Sequence, residues 1–121
     1  MIVGVGLDLI AVERVERLLS RFGERFLHRC FNAGELTRPS DPEHLAGLLA
    51  AKEAAFKALL ASPTSGIGWK DIAVVKDENG RPEIGFLGRA LQHGSRLGIE
   101  RSHVSITHHG GFAAAVVILE R

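Results

Sequence analysis

The chain has 121 residues, 45% of them hydrophobic and 24% charged, with a formal net charge of +1. That is enough apolar material for one domain with a real core, and too little net charge to coat a nucleic acid by bulk electrostatics. Cys30 is the only cysteine, which excludes an intrachain disulfide and points to a cytosolic setting; the N-terminal MIVGVGLDLI lacks a basic flank and is broken by two glycines and an aspartate, so it reads as neither a signal peptide nor a membrane span.

Residues 2–9 predict a strand of the buried type, with Val3, Val5, Leu7 and Leu9 alternating against Gly4, Gly6 and Asp8. Asp8 then shares a face with two glycines, which leaves open space beside its carboxylate. Residues 12–29 predict an amphipathic helix with Val15, Leu18, Leu19, Phe22 and Phe26 as its apolar face, weakened and open to a break at Gly23. Asn32 and Glu35 resemble a capping box, and Asp41-Pro42 is a cap followed by proline at the start of a second helix. SPTSGIG is a loop. DIAVVKD and RPEIGFL are strands joined by Asn79-Gly80, a strong hairpin signal. A helix over 88–97 precedes a second hairpin, HVSITHH and FAAAVVILE around Gly110-Gly111, the last strand apolar enough to be central. The expected fold is a single α+β domain, residues 1–121, with a mainly antiparallel sheet packed against helices in the order β-α-α-β-β-α-β-β.

The second helix carries an unusual charge pattern. Wound at roughly 100° per residue, Leu45, Leu48, Leu49, Phe56, Leu59 and Leu60 share one arc, and alanine fills most of the rest of the circumference. Such a helix is normally buried, and its alanine face permits close packing within or between chains. Lys52 projects near the middle of the leucine arc, with Glu53 and Lys57 stepping off its edge. A solvated Glu53–Lys57 pair at i,i+4 would explain two of these charges, not the lysine within the arc. Asp8 and Glu53 are the two carboxylates whose neighbours do not explain them as surface. Two such oxygens plus waters and substrate phosphates is the usual way to hold Mg²⁺, and Lys52 and Lys57 would flank that site and offer charge to phosphate.

GVGLDLIAVERV resembles the first motif of the phosphopantetheinyl transferases, AAKEAAFKAL the second, and HVSITHHGGFAAAVVILE the C-terminal hairpin of their small stand-alone branch; DIAVVKDENGRPEI also matches in place and spacing. The resemblance spans residues 2–120. It implies transfer of the 4′-phosphopantetheine arm of coenzyme A to a serine of an apo acyl-carrier protein, releasing adenosine 3′,5′-bisphosphate. It further implies Mg²⁺ on Asp8 and Glu53, Lys52 and Lys57 facing the coenzyme A phosphates, and His108 at the edge of the site. The group that removes the serine proton stays open among Asp8, Glu53 and Lys57. The relatives it evokes are homotrimers with sites between subunits, acting in the cytoplasm in carrier-protein and fatty-acid metabolism.

Alternation puts His108 with Val104 and Ile106 on the inward face, where a lone histidine is ordinarily structural; only the resemblance gives it a role. Arg14, Arg17, Arg21, Arg25 and His28 form a basic stripe opposite the phenylalanines, suited to docking an acidic helical carrier protein. One departure stands out. Leu48 replaces an arginine common one turn before Lys-Glu, and Leu49 an aromatic, which bears on coenzyme A affinity and not on the metal site. A metal-dependent nuclease would want Glu-x-Lys on a strand, and a nucleic-acid module would want aromatics and more net charge; the chain has no tyrosine.

Overall fold

The computed structural model describes residues 1–121. Strand β1 (Ile2–Ala11) leads into helices α1 (Val12–Phe22), α2 (Glu24–Cys30) and α3 (Pro42–Ala58). A hairpin of β2 (Ile72–Lys76) and β3 (Pro82–Phe86) follows, then α4 (Gly88–Leu97) and a hairpin of β4 (Arg101–His109) and β5 (Phe112–Glu120). Short 3-10 turns occupy Ala33–Glu35 and Trp69–Asp71. The class is α+β and every strand pairing is antiparallel, in two sheets: a three-stranded one ordered β1-β5-β4, with β5 central, and the β2-β3 ribbon. The Ser102 hydroxyl donates to the Ile84 carbonyl at 3.2 Å and ties the ribbon to β4.

Local chemistry accounts for the boundaries. Asp41 caps α3 by accepting from the His44 amide at 3.2 Å, with Pro42 at the first helical position. The β4-β5 turn holds Gly110 and Gly111 at φ 57° and 82°, the left-handed pair that a tight hairpin needs. The helix expected over 12–29 divides at Gly23, whose φ of 54° ends α1 and starts α2.

α3 lies flat on the β1-β5-β4 sheet with almost no side chain between. Ala46, Ala50, Ala51, Ala54, Ala55 and Ala58 are all fully buried. A Cβ on Gly4 would run into the Ala58 carbonyl, and one on Gly6 into the Ala54 carbonyl. The alanine face is therefore used within the chain. β1 is buried on one face only, not the wholly buried strand expected: Gly4, Gly6 and Ile10 point inward, while Val5, Leu7 and Leu9 are 56%, 65% and 64% exposed. Alternation distinguishes two faces of a strand without saying which is inside. Here the helix must come close, so the small residues face it, and the glycines close the space beside Asp8 instead of opening it. Opposite the helix, Val5, Leu7 and Leu9 stand beside Ile118, Val116 and Ala114 of β5 as one uncovered apolar layer.

Gly6→Ala tests this contact. Overpacking typically costs about 1–3 kcal/mol where side chains can adjust. Here the obstacle is helix backbone, so urea unfolding should show a loss at or above the top of that range; a stability within about 0.5 kcal/mol of the parent would mean α3 can lift off the sheet.

Candidate active site

Because α3 touches β1 at Gly6, the next inward residue on that strand, Asp8, comes within reach of the helix. The Lys57 Nζ donates to Asp8 Oδ1 at 2.8 Å and to the Leu7 carbonyl at 3.1 Å. The Asp8 side chain is 12% exposed and that of Lys57 56%, so the pair sits at the mouth of the contact. Glu53, one turn before Lys57, completes the group. A cleft of about 350 Å³ opens beside it, lined by Glu53, Lys57, Phe56, Ile67 and Trp69 among others.

The two carboxyls titrate apart. Burial, then the neighbouring Asp8 carboxylate, push Glu53 up to about 7. Burial also works to raise Asp8, but the adjoining Glu53 carboxyl and Lys57 ammonium outweigh it and hold Asp8 below the usual carboxylate range. The bond to Asp8 in turn raises Lys57, which stays an ammonium. Asp8 Oδ2 is buried, and once the adjoining Glu53 carboxyl gives up its proton it has no hydrogen-bond donor. An orphaned carboxylate oxygen next to a second carboxyl that resists ionisation is a hard-oxygen site short of positive charge, and it fits Mg²⁺.

Lys52 is placed differently from the expectation. Its side chain is fully buried, and Nζ meets Glu35 Oε1 at 2.8 Å, the Ile72 carbonyl at 2.6 Å and the Trp69 carbonyl at 3.0 Å. An ammonium has three protons, so none is left for a phosphate. Burial pulls the Lys52 ammonium down and the Glu35 carboxylate opposes that. Glu35 is equally occupied: Oε1 accepts from the Asn32 amide at 2.7 Å, closing the expected capping box, and Oε2 from the Val74 amide at 2.7 Å. Lys52 thus lines the cleft with its stem and braces the Trp69–Ile72 wall with its head.

His108 lies elsewhere. Its Nε2 donates to the Glu43 carbonyl at 3.1 Å, at the start of α3. Glu43 and Glu53 are ten residues apart, about 15 Å along a helix, so within one chain His108 does not join the carboxylates. Gly47 makes room for the ring, since a Cβ there would lie 2.7 Å from Nε2. A second cleft, about 440 Å³, is lined there by His108, His44, Leu48, Thr37 and Lys76 among others. Leu48 is only 8% exposed and belongs to the core as well as to that cleft; Leu49, at 2%, belongs to the core.

Residues 4–117 match the model of the 4′-phosphopantetheinyl transferase superfamily. The chain belongs to that superfamily. It is 40% identical over 124 positions to the holo-[acyl-carrier-protein] synthase of Maridesulfovibrio salexigens, covering all of both chains. To that of Acidithiobacillus ferrooxidans it is 44% identical over 127 positions, covering 100% of this chain and 98% of the other. Among solved structures, the holo-[acyl-carrier-protein] synthase of Helicobacter pylori, in complex with coenzyme A, superposes with a TM-score of 0.85 at 29% identity, over 96% of this chain and 99% of that one. The synthase from Neisseria meningitidis superposes at 0.88 with 28% identity over both whole chains.

On this transferase the basic stripe is split by the break at Gly23. Arg14 and Arg25 flank a groove of about 460 Å³ floored by Leu18, Phe22, Phe26 and Trp69, and Arg29, absent from the expected stripe, lines it too. Arg17 is paired with Glu13 at 3.0 Å on another face. The Arg21 and Arg25 guanidinium groups lie 5.3 and 5.6 Å from the Phe22 ring centre. His28 sits exposed near Glu24, 3.7 Å away. Trp69 was hidden in the sequence because it follows a loop with no period to place it, and Arg29 because the stripe was traced through His28 beside it.

Two measurements follow from these placements. Lys52→Met leaves Glu35 buried without its partner and should cost about 3–5 kcal/mol, with part restored in the Lys52→Met/Glu35→Gln double variant; Lys57→Met, which removes an exposed ammonium from a half-buried pair, should cost clearly less. Equal losses in the two single variants would mean that the buried bridge does not brace the fold. The second concerns pH. Folding raises Glu53 above its ordinary 4.5, to about 7, so its contribution is present below pH 4.5 and lost as pH rises through 7. Metal-free protein should therefore melt lower at pH 8 than at pH 6, Glu53→Gln should flatten that difference, and Mg²⁺ should raise the melting temperature more at pH 8. A pH-independent Mg²⁺ effect would detach Glu53 from the metal.

Proposed function

We propose that the protein transfers the 4′-phosphopantetheine group of coenzyme A to a serine of an apo acyl-carrier protein, leaving adenosine 3′,5′-bisphosphate, and does so with Mg²⁺ on Asp8 and Glu53. The observation that carries this is the Asp8–Glu53–Lys57 cluster at the mouth of a cleft, in a chain whose relatives are named holo-[acyl-carrier-protein] synthase. Mg²⁺ held there would neutralise the pyrophosphate and steady both the entering and the leaving oxygen. Lys57 orients Asp8 and offers its third proton and its charge to phosphate. Because it stays protonated, Asp8 and Glu53 remain as the acceptors for the serine proton. Phosphoryl transfer asks the protein chiefly to position and to compensate charge.

The carrier protein, an acidic helical bundle, docks on Arg14, Arg17, Arg21 and Arg25, with its apolar contacts in the groove between Arg14 and Arg25. The enzyme works as a homotrimer with sites between subunits: the uncovered Val5, Leu7 and Leu9 face supplies an association surface, and His108 reaches a carboxylate cluster only on a neighbour. We place it in the cytoplasm, in fatty-acid biosynthesis. Nothing favours nucleic acid or membrane as partner, and no helix is long and apolar enough to cross a membrane.

Mass spectrometry of an apo carrier protein incubated with enzyme, coenzyme A and Mg²⁺ tests the reaction, the expected result being a gain of one phosphopantetheine mass. Asp8→Asn and His108→Ala should each remove most of the rate while the protein stays folded. Mixed together, they should recover activity in roughly a quarter of the sites, because each intersubunit site draws its halves from two protomers. A mixture no better than the sum of its parts would place both residues in one protomer's site, and no mass gain in wild type would end the reading.

A further inference from the structure

A third cleft, about 460 Å³, lies between α4 and the loop that follows α3, and shares only Ile67 with the carboxylate cleft. Arg89, Gln92, His93 and Arg96 line it from α4, at the i, i+3, i+4, i+7 positions of one helical face, and Ser62 and Ser65 line it from the loop. No acidic side chain lines it, and neither arginine has a carboxylate partner. The donors are held in place. The Arg89 side chain crosses Gly66, where a Cβ would collide with its guanidinium, so it points over the loop instead of trailing into solvent. His93 Nε2 donates to the Leu59 carbonyl at 2.8 Å, which caps the end of α3 and fixes the ring against the cleft. The loop begins at Leu60, held at φ 56°, a left-handed conformation that a leucine adopts only when its surroundings impose it.

We infer that this cleft is a second anion site, taking a phosphate-class dianion between Arg89 and Arg96. Seven residues place the two Cα atoms about 10 Å apart along the axis, a separation that two arginine side chains close from either end. Two guanidinium forks with the Gln92 amide and two hydroxyls beside them, and no carboxylate facing them, match the oxygens of a phosphomonoester. The occupant is either free phosphate or the 3′-phosphate of the nucleotide, and in the latter case the inference rests on the reaction proposed above.

Calorimetric titration with inorganic phosphate, adenosine 5′-monophosphate and adenosine 3′,5′-bisphosphate separates these sources. Arg89→Ala and Arg96→Ala are exposed substitutions, and melting curves would check that both variants fold. Each should weaken binding about tenfold, the size of one charge-assisted contact. If the bisphosphate binds more tightly than the monophosphate and the gap closes in both variants, the nucleotide's 3′-phosphate is the occupant. If inorganic phosphate alone binds and weakens by the same factor, free phosphate is. Folded variants that bind every probe as wild type does overturn the site. A wild type that modifies carrier protein while its arginine variants bind unchanged overturns this inference alone; a wild type that modifies none overturns the reaction, and the phosphate titration still decides the cleft.

Discussion

Everything at the candidate site depends on how closely α3 approaches β1. Helices usually rest on sheets through a layer of interleaved side chains. Here Gly4 and Gly6 meet the backbone of Ala58 and Ala54 directly, so that layer is missing along one line of contact. Glycine weakens a strand interior, and β1 tolerates two of them because nearly its whole length is paired with β5. The result is a short bridge between elements far apart in sequence. The Lys57 ammonium reaches both the Asp8 carboxylate and the Leu7 backbone across it, and Glu53 is brought close enough to Asp8 that the two do not ionise independently.

The Lys-Glu doublet then divides into two roles. Adjacent residues on a helix point roughly 100° apart, so one can face the core while its neighbour faces the cleft. Lys52 turns inward to a carboxylate and two carbonyls, each of which would otherwise be buried with less compensation. A buried ion pair is weak evidence for net stability on its own. Its value here is geometric: it links α3, the turn at Ala33–Glu35 and the segment Trp69–Ile72, and the last of these is the wall facing Glu53. A hydrophobic residue at position 52 could fill the volume but could not hold those carbonyls.

The sequence was legible where a residue type has one structural use. Asp41-Pro42, Asn79-Gly80 and Gly110-Gly111 placed their boundaries, the apolar last strand proved central, and Asp8, Glu53 and Lys57 came together as expected. It was misleading where an inference needed the identity of the opposing surface. β1 read as a buried strand with open space beside Asp8 because alternation does not name the opposing surface, whereas a bare alanine helix demands the small residues and leaves the bulky ones outside. Lys52 was assigned to ligand because its partner, Glu35, lies 17 residues away in a turn whose capping role already explained it. His108 followed the alternation of β4 correctly, yet the strand carries it to the opposite end of α3 from the carboxylates. The basic stripe assumed a continuous helix, and Gly23 ends that continuity.

The phase of β1 links the site to the surface of the molecule. In a strand of period two, placing Gly4, Gly6 and Asp8 toward the helix forces Val5, Leu7 and Leu9 to the other side. There they join Val116 and Ile118 of β5 in an apolar layer that nothing in the chain covers. Apolar surface of that breadth, on the back of a sheet, is the feature on which the proposed assembly rests. The close approach that assembles Asp8 with Lys57 and the bare apolar face on the other side are thus one decision in the sequence. A change that restored an ordinary strand, with large residues inward, would lift α3 away from Asp8 and strip the outer face of its apolar residues in the same step.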